Sequence, residues 1–212
     1  MSVRARRAQE KELRRTSILD AAETVFFDKG FERSTMDDIA RAAQLSRGLL
    51  YVYFRDKSAI LGAVILRAGE CLRSRFREVA DRPLTGAEQI QAMGQAYYLF
   101  SREEPDYFDL LTLAASDRPQ TGEPEQDDAM EACSGEVMQI MADTLKRGIQ
   151  DGSLDPRHVR DPFQTALYLR GTLHGIIMLT RQEAGHQVPD AASSEALVAY
   201  AMDRIGASLM AH

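Results

Sequence analysis

Apolar residues recur three and four positions apart along most of this chain, and almost nowhere do they alternate. That period puts them on one face of an α-helix, so the pattern predicts an all-α protein. Ile18, Ala22, Val25 and Phe26 place a first helix from about Glu10 to Lys29. Gly30 stops it in a left-handed cap, with Phe31 closing back on Phe26. Residues 1 to about 9 read as a flexible basic arm. Ile60, Ala63, Val64, Leu72 and Phe76 carry a long helix from Lys57 to about Ala80. Thr85 and Glu88 form a capping box for a helix through Arg102. Pro105 opens a short helix bearing Tyr107, Phe108, Leu110, Leu111 and Leu113, and DRPQTGEP at 117–124 is the clearest loop. A helix from about Glu125 to Gln150 turns Met130, Cys133, Val137, Met138, Met141, Leu145 and Ile149 inward and stops at Gly152. Asp161-Pro162 starts a helix that is apolar around much of its circumference. A last helix, about Ser194 to Met210, brings Leu197, Ala201, Ile205 and Leu209 to one face.

Between the first helix and the long one the pattern tightens. Thr35 followed by Asp38 is a helix start, and Ile39, Ala40 and Ala43 give a short helix a small-residue face. Gln44-Leu45 breaks it, and Ser46 caps a second short helix through Phe54. Tyr51-Val52-Tyr53-Phe54 are all good strand formers by themselves. The Ser46 cap, the lack of any pairing strand nearby and the immediate restart at Asp56-Lys57 make them helical instead. Leu50 and Phe54 then turn inward onto Ile39 and Leu45, leaving Arg47, Gly48 and Leu49 at the tip and Tyr51 one turn on. Two short helices joined by a tight turn, the second with a cationic and sterically open tip, form a helix-turn-helix suited to the major groove.

The segment resembles the DNA-binding domain of the TetR family of bacterial transcriptional regulators. The resemblance rests on Phe26, Gly30-Phe31, Thr35-x-x-x-Ile39-Ala40-x-x-Ala43, Leu45-Ser46-Arg47-Gly48, Leu50-Tyr51-x-Tyr53-Phe54 and Lys57, the first quarter to third of the chain. Two positions depart from the family: Gln44 stands where it usually has Gly in the turn, and Leu49 where a small or hydroxyl side chain is common. A non-Gly residue at positive φ costs on the order of 1–2 kcal/mol. The resemblance implies a homodimer built by the last two helices, here through Phe163, Leu167, Gly171, Gly175, Met178, Leu197, Ala201, Ile205 and Leu209.

Charge sharpens this picture. The net charge is −6, yet residues 1–60 carry +3 and the remainder −9, so attraction for phosphate is concentrated where the helix-turn-helix lies. Cys71 and Cys133 lie far apart without metal spacing, as in a reduced, cytoplasmic protein. No run of eighteen apolar residues supports a membrane span. No Gly-rich phosphate loop, nucleophile elbow, HExxH or CxxC is present, and His158, His174, His186 and His212 are scattered. No catalytic residue, metal site or cofactor is therefore expected. His174 alone sits inside an apolar helix, either as a satisfied core or interface histidine or as a polar contact in a ligand cavity.

The reading is a three-helix DNA-binding domain over 1–55, then a helical domain over 56–212 that binds an effector and dimerises. Arg47 would read a base edge, and Gly48 would let the tip approach the backbone. Thr35, Tyr51, Tyr53 and Lys57 would hold phosphates, with Ser46 and Leu49 completing the surface. The expected partners are double-stranded operator DNA, a second copy and a mostly apolar small molecule that releases the DNA. Candidate pocket residues are Met93, Tyr97, Phe108, Cys133, Met138, Arg170 and His174, adaptable or polar groups on apolar helices. The alternatives are a helical ligand-binding enzyme, which turnover without DNA binding would favour, and an architectural protein, which sequence-independent DNA binding would favour.

Overall fold

The computed structural model describes residues 3–116, 121–181 and 191–210. Among these the chain forms nine helices and one isolated antiparallel bridge, Leu154 with Met210, and is all-α. The helices are α1 (Val3–Lys29), α2 (Met36–Ala42), α3 (Arg47–Tyr53), α4 (Lys57–Ala80), α5 (Gly86–Glu103), α6 (Pro105–Ser116), α7 (Pro124–Gln150), α8 (Pro162–Arg181) and α9 (Ala191–Ala207). The first helix begins at Val3 rather than near Glu10, so residues 3–9 continue α1 instead of forming an arm. Arg, Ala, Gln, Glu and Lys are all good helix formers, and Arg6 pairs with Glu10 one turn on at 2.8 Å. These residues are exposed, so what holds them is local: helix propensity and pairing along the helix. Of the predicted 117–124 loop, residues 117–120 lie outside the described residues.

The chain divides into two compact units that do not follow chain order. The first comprises Met1–Gly69 with Asp106–Ala132. Its core gathers Ile18, Ala22, Phe26, Ile39, Leu50, Phe54, Ile60 and Val64, with Met130 from α7 among them and Tyr107, Leu110 and Leu111 of α6 against it. Tyr107 meets Phe27 edge to face at 6.2 Å and donates its hydroxyl to Glu23 at 2.9 Å. Arg67 bridges Glu23 and Asp20 beside it. The segment before α7 is held by Arg55, whose guanidinium donates to the carbonyls of Thr121 at 2.8 Å and Gly122 at 3.0 Å. Gln126 donates to the Ala59 carbonyl at 2.9 Å. A Cβ on Gly62 would overlap the Thr121 methyl, so glycine there is what lets this segment seat on α4.

The second unit comprises Glu70–Pro105 with Cys133–His212. Here α5 packs on α8 and α9, and α8 on α9. Thr85 and Glu88 close the capping box on α5, and Asp161 caps α8 through the N–H groups of Phe163 and Gln164 at 2.8 and 3.0 Å. The buried Gln89 amide donates to the carbonyls of Ala80 and Arg82 and accepts from Arg147, closing the end of α4. A Cβ on Gly86 would overlap the backbone at Gly148, which brings the start of α5 directly onto α7. Both α4 and α7 divide between the units: residues 57–69 and 124–132 pack in the first, 70–80 and 133–150 in the second.

Candidate functional site

The turn between α2 and α3 is built by caps. Thr35 accepts from the Asp38 N–H, and the Asp38 carboxylate accepts from the Thr35 N–H and hydroxyl. The Lys29 ammonium at 2.8 Å and the Thr35 hydroxyl hold the Asp38 pKa down to about 2. At the other end of α2, Leu45 N–H reaches Ala40 carbonyl at 2.8 Å and Gln44 N–H reaches Arg41 carbonyl at 3.1 Å. This pair is a Schellman motif, and Gln44 occupies its left-handed position with φ 56°. The side chain where the family usually has Gly thus keeps the turn and carries the backbone strain. Ser46 then accepts from the Leu49 N–H at 3.2 Å and starts α3.

α3 buries Leu50 and leaves Ser46, Arg47, Gly48, Leu49, Tyr51 and Val52 exposed, with Tyr53 half-buried. Val52 is 72% exposed and Tyr51 43%, an apolar and aromatic surface on a seven-residue helix. A Cβ on Gly48 would meet nothing within 4 Å, so the missing side chain matters only to what approaches from outside. Arg47 is held over the Tyr51 ring, 5.6 Å from its centroid, and donates to the Asp37 carboxylate at 3.1 Å and the Tyr51 hydroxyl at 3.3 Å. Exposed pairs of this kind contribute about 0–1 kcal/mol, so the guanidinium is presented and is readily exchanged for a stronger acceptor. Thr35, by contrast, spends its hydroxyl within the capping box. Lys57 points inward: its ammonium donates to the carbonyls of Phe31 at 2.6 Å and Ser34 at 2.9 Å and lies 4.1 Å from the Phe31 ring centroid.

A second site lies in the second unit, a cavity of about 70 Å³. Its wall is almost wholly apolar, with Leu72, Phe76, Met93, Val137, Met141, Leu169, Leu173, Met202, Ile205 and Leu209 lining it. Of the sequence candidates, Met93, Tyr97 and Arg170 line it. His174 stands behind Tyr97, its Nδ1 2.8 Å from the Tyr97 hydroxyl. Met138 offers its sulfur to Arg170 at 3.6 Å. Cys133 is buried outside the lining, and Phe108 belongs to the first unit. Burial lowers the His174 pKa, and the Arg170 charge lowers it further. Burial raises that of Tyr97 against the opposing pull of Arg170. Leu72, Phe76 and Met141 carry no chemical signal in the sequence beyond helical spacing, which does not distinguish a cavity wall from a filled core.

The outer faces of α8 and α9 form a third feature. Phe163, Leu167, Tyr168 and Leu179 of α8 and Leu197 and Tyr200 of α9 are exposed by 36 to 64%. Gly171 and Gly175 lie on the exposed side of α8 with open space beyond them, and Met178 is half-buried. Ala201 and Leu209, expected on the outer face, are buried within the unit, and Ile205 and Leu209 line the cavity. α9 is apolar on more than one stripe, and its packing on α5 and α8 takes the Ala201–Ile205 stripe inward, with Leu209 buried just past its end.

Residues 18–64 match the family described as bacterial regulatory proteins, tetR family, and residues 90–205 match the Tetracyclin repressor-like C-terminal domain. The HTH-type transcriptional repressor KstR2 of Mycolicibacterium smegmatis is 26% identical over 144 residues, 68% of each protein. The HTH-type transcriptional regulator UidR of Escherichia coli K12 is 34% identical over 89 residues, which is 42% of this chain and 43% of UidR. Among solved structures, SmeT, the repressor of the Stenotrophomonas maltophilia multidrug efflux pump SmeDEF, superposes with a TM-score of 0.70. That match is 21% identical and covers 93% of this chain and 90% of SmeT.

Proposed function

The chain belongs to the TetR family and is a DNA-binding transcriptional regulator, and from that premise we propose a homodimeric cytoplasmic repressor that an apolar effector releases from a roughly palindromic operator. The observation that carries this reading is the tip of α3: an exposed, weakly held Arg47 beside a Gly48 that its own chain does not crowd. A guanidinium can take O6 and N7 of guanine bidentately, and exchanging the Asp37 carboxylate for those acceptors loses little. Tyr51 and Tyr53 contact phosphates at either side of it, and Ser46, Thr35 and Leu49 shape the approach. Lys57 serves as a positioning residue, tying the start of α4 to the turn before α2.

The dimer face runs along Phe163, Leu167, Gly171, Gly175, Met178 and Leu197, where exposed apolar side chains flank two glycines that admit a close helix. The effector occupies the cavity of the second unit. At about 70 Å³ it is well below the ~300–1,000 Å³ of pockets that hold drug-sized ligands, so an occupant must swell it. Met93, Met141 and Met202 are the side chains best able to give way. Swelling loads α4 through Leu72 and Phe76, and α4 continues unbroken to Lys57, two residues from the Arg55 anchor.

The test is selection of bound sequences from a random duplex pool, followed by Arg47→Ala on the selected site. We expect a two-fold-related site, a loss of about 1–3 kcal/mol for the variant, and relaxed preference at one position per half-site. Preference unchanged by Arg47→Ala would overturn the placement of α3, and sequence-independent binding would favour the architectural reading.

A further inference from the structure

Arg170 is the one charged side chain among the described residues that line a mostly apolar cavity. It is half-buried, and among the described residues no carboxylate lies within ion-pair distance of it. Its polar contacts are weak ones for a cation: one guanidinium nitrogen donates to the Met138 sulfur at 3.6 Å, and it also hydrogen-bonds the neutral Tyr97 phenol. Most other half-buried arginines of this unit differ. Arg73 and Arg75 each meet a glutamate, at 2.9 and 2.6 Å.

A cation held at the edge of an apolar space without a counter-ion is costly unless an anion joins it, and a guanidinium takes a carboxylate bidentately. The cavity behind it offers Leu72, Phe76, Met93, Met141 and Leu173 to an apolar body. We propose that the cavity takes an amphiphilic carboxylate, with the acid group on Arg170 and the apolar tail among these side chains. Tyr97 reaches the same end of the cavity and presents a phenol whose oxygen is already engaged with His174 at 2.8 Å. The Tyr97–His174 pair therefore fixes the edge against which the acid group registers. This deepens the effector reading above by naming the chemistry of the head group, and it rests on that reading only for the consequence to DNA binding.

Isothermal titration of the full-length protein with octanoate, 1-octanol and octylamine tests it without DNA. The three probes share a tail and differ in head-group charge. Octanoate should bind at least tenfold more tightly than octanol, with octylamine weakest. Arg170→Met, which keeps the stem's bulk at a position that has no carboxylate partner to orphan, should bring octanoate down to the level of octanol. Arg170→Lys should recover part of the difference. Thermal unfolding of each variant in the absence of probe confirms that the fold is intact. Equal affinity for octanoate and octanol, octanoate binding untouched by Arg170→Met, or no heat with any probe at millimolar concentration would each overturn the proposal. Octanoate that binds through Arg170 yet leaves operator affinity unchanged would sustain this site and remove the effector role.

Discussion

At the scale of single residues, Gln44 and Lys57 show two positions where a general motif is carried by an unusual solution. Gln44 holds a left-handed conformation at φ 56° that glycine adopts without strain. Gln44→Gly should therefore stabilise the protein, by about 0.5–1 kcal/mol after the extra unfolded-state entropy of glycine is subtracted. Thermal unfolding should show it as a rise of about 1–4 °C, and a fall would mean that Gln44 makes a compensating contact. Lys57 is expected from sequence to hold a phosphate, but its ammonium is already engaged by the carbonyls of Phe31 and Ser34. Lys57→Ala should cost on the order of 1–2 kcal/mol of stability by leaving those carbonyls short of a donor. In DNA-binding titrations across salt concentrations it should leave the slope of log K against log salt unchanged. Loss of about 0.9 from that slope would restore the phosphate role.

At the scale of elements, the face shared by α8 and α9 makes the strongest claim. A glutamate at Gly175 would stand in open space on the isolated chain, so Gly175→Glu should leave the fold intact. In a dimer packed along that face it would place a charge and a side chain where backbones meet. Analytical ultracentrifugation should show monomers, and operator affinity should collapse with them. A variant that remains dimeric would move the interface off α8. The same elements show what a sequence discloses. Every cap read from the chain is present, at Thr35, Ser46, Thr85 and Asp161, because a cap is decided by residues three or four apart. The inward stripe of α9 was not legible. On a helix apolar over much of its surface, only the neighbouring helices determine which stripe is buried. The cavity wall was partly legible for the same reason: Met93, Tyr97 and Arg170 stand out chemically, while Leu72 and Leu173 become lining only through the packing of α4, α5 and α8. The Arg55 contacts, with partners 66 and 67 residues away, leave no local trace at all.

At the scale of the whole molecule, regulation requires that ligand and operator prefer different arrangements of the same chain. A hundredfold preference of the ligand for the DNA-free state shifts the balance by about 2.7 kcal/mol, and equal affinity for both states shifts nothing. For two recognition helices in a dimer, the quantity that changes is their separation, which must match half-sites about 34 Å or a multiple apart. Linkage then fixes a symmetrical outcome: saturating operator must weaken ligand binding by the factor with which ligand weakens operator binding. Titrating any confirmed ligand with and without operator DNA checks this, and identical affinities would mean that the cavity binds without regulating.

The Arg55 clamp has a consequence for anyone who would treat the DNA reader as an interchangeable cassette. A hybrid joined at residue 55 would carry the guanidinium into a new body and leave behind the Thr121 and Gly122 carbonyls that receive it. It would equally strip Tyr107 and Met130 from the core of Ile18, Phe26 and Leu50. The module that could be transplanted whole is discontinuous, residues 1–69 together with 106–132. A graft must therefore carry two segments and respect three splice points, within α4, at the first residue of α6 and within α7, where the helical register has to run through unbroken.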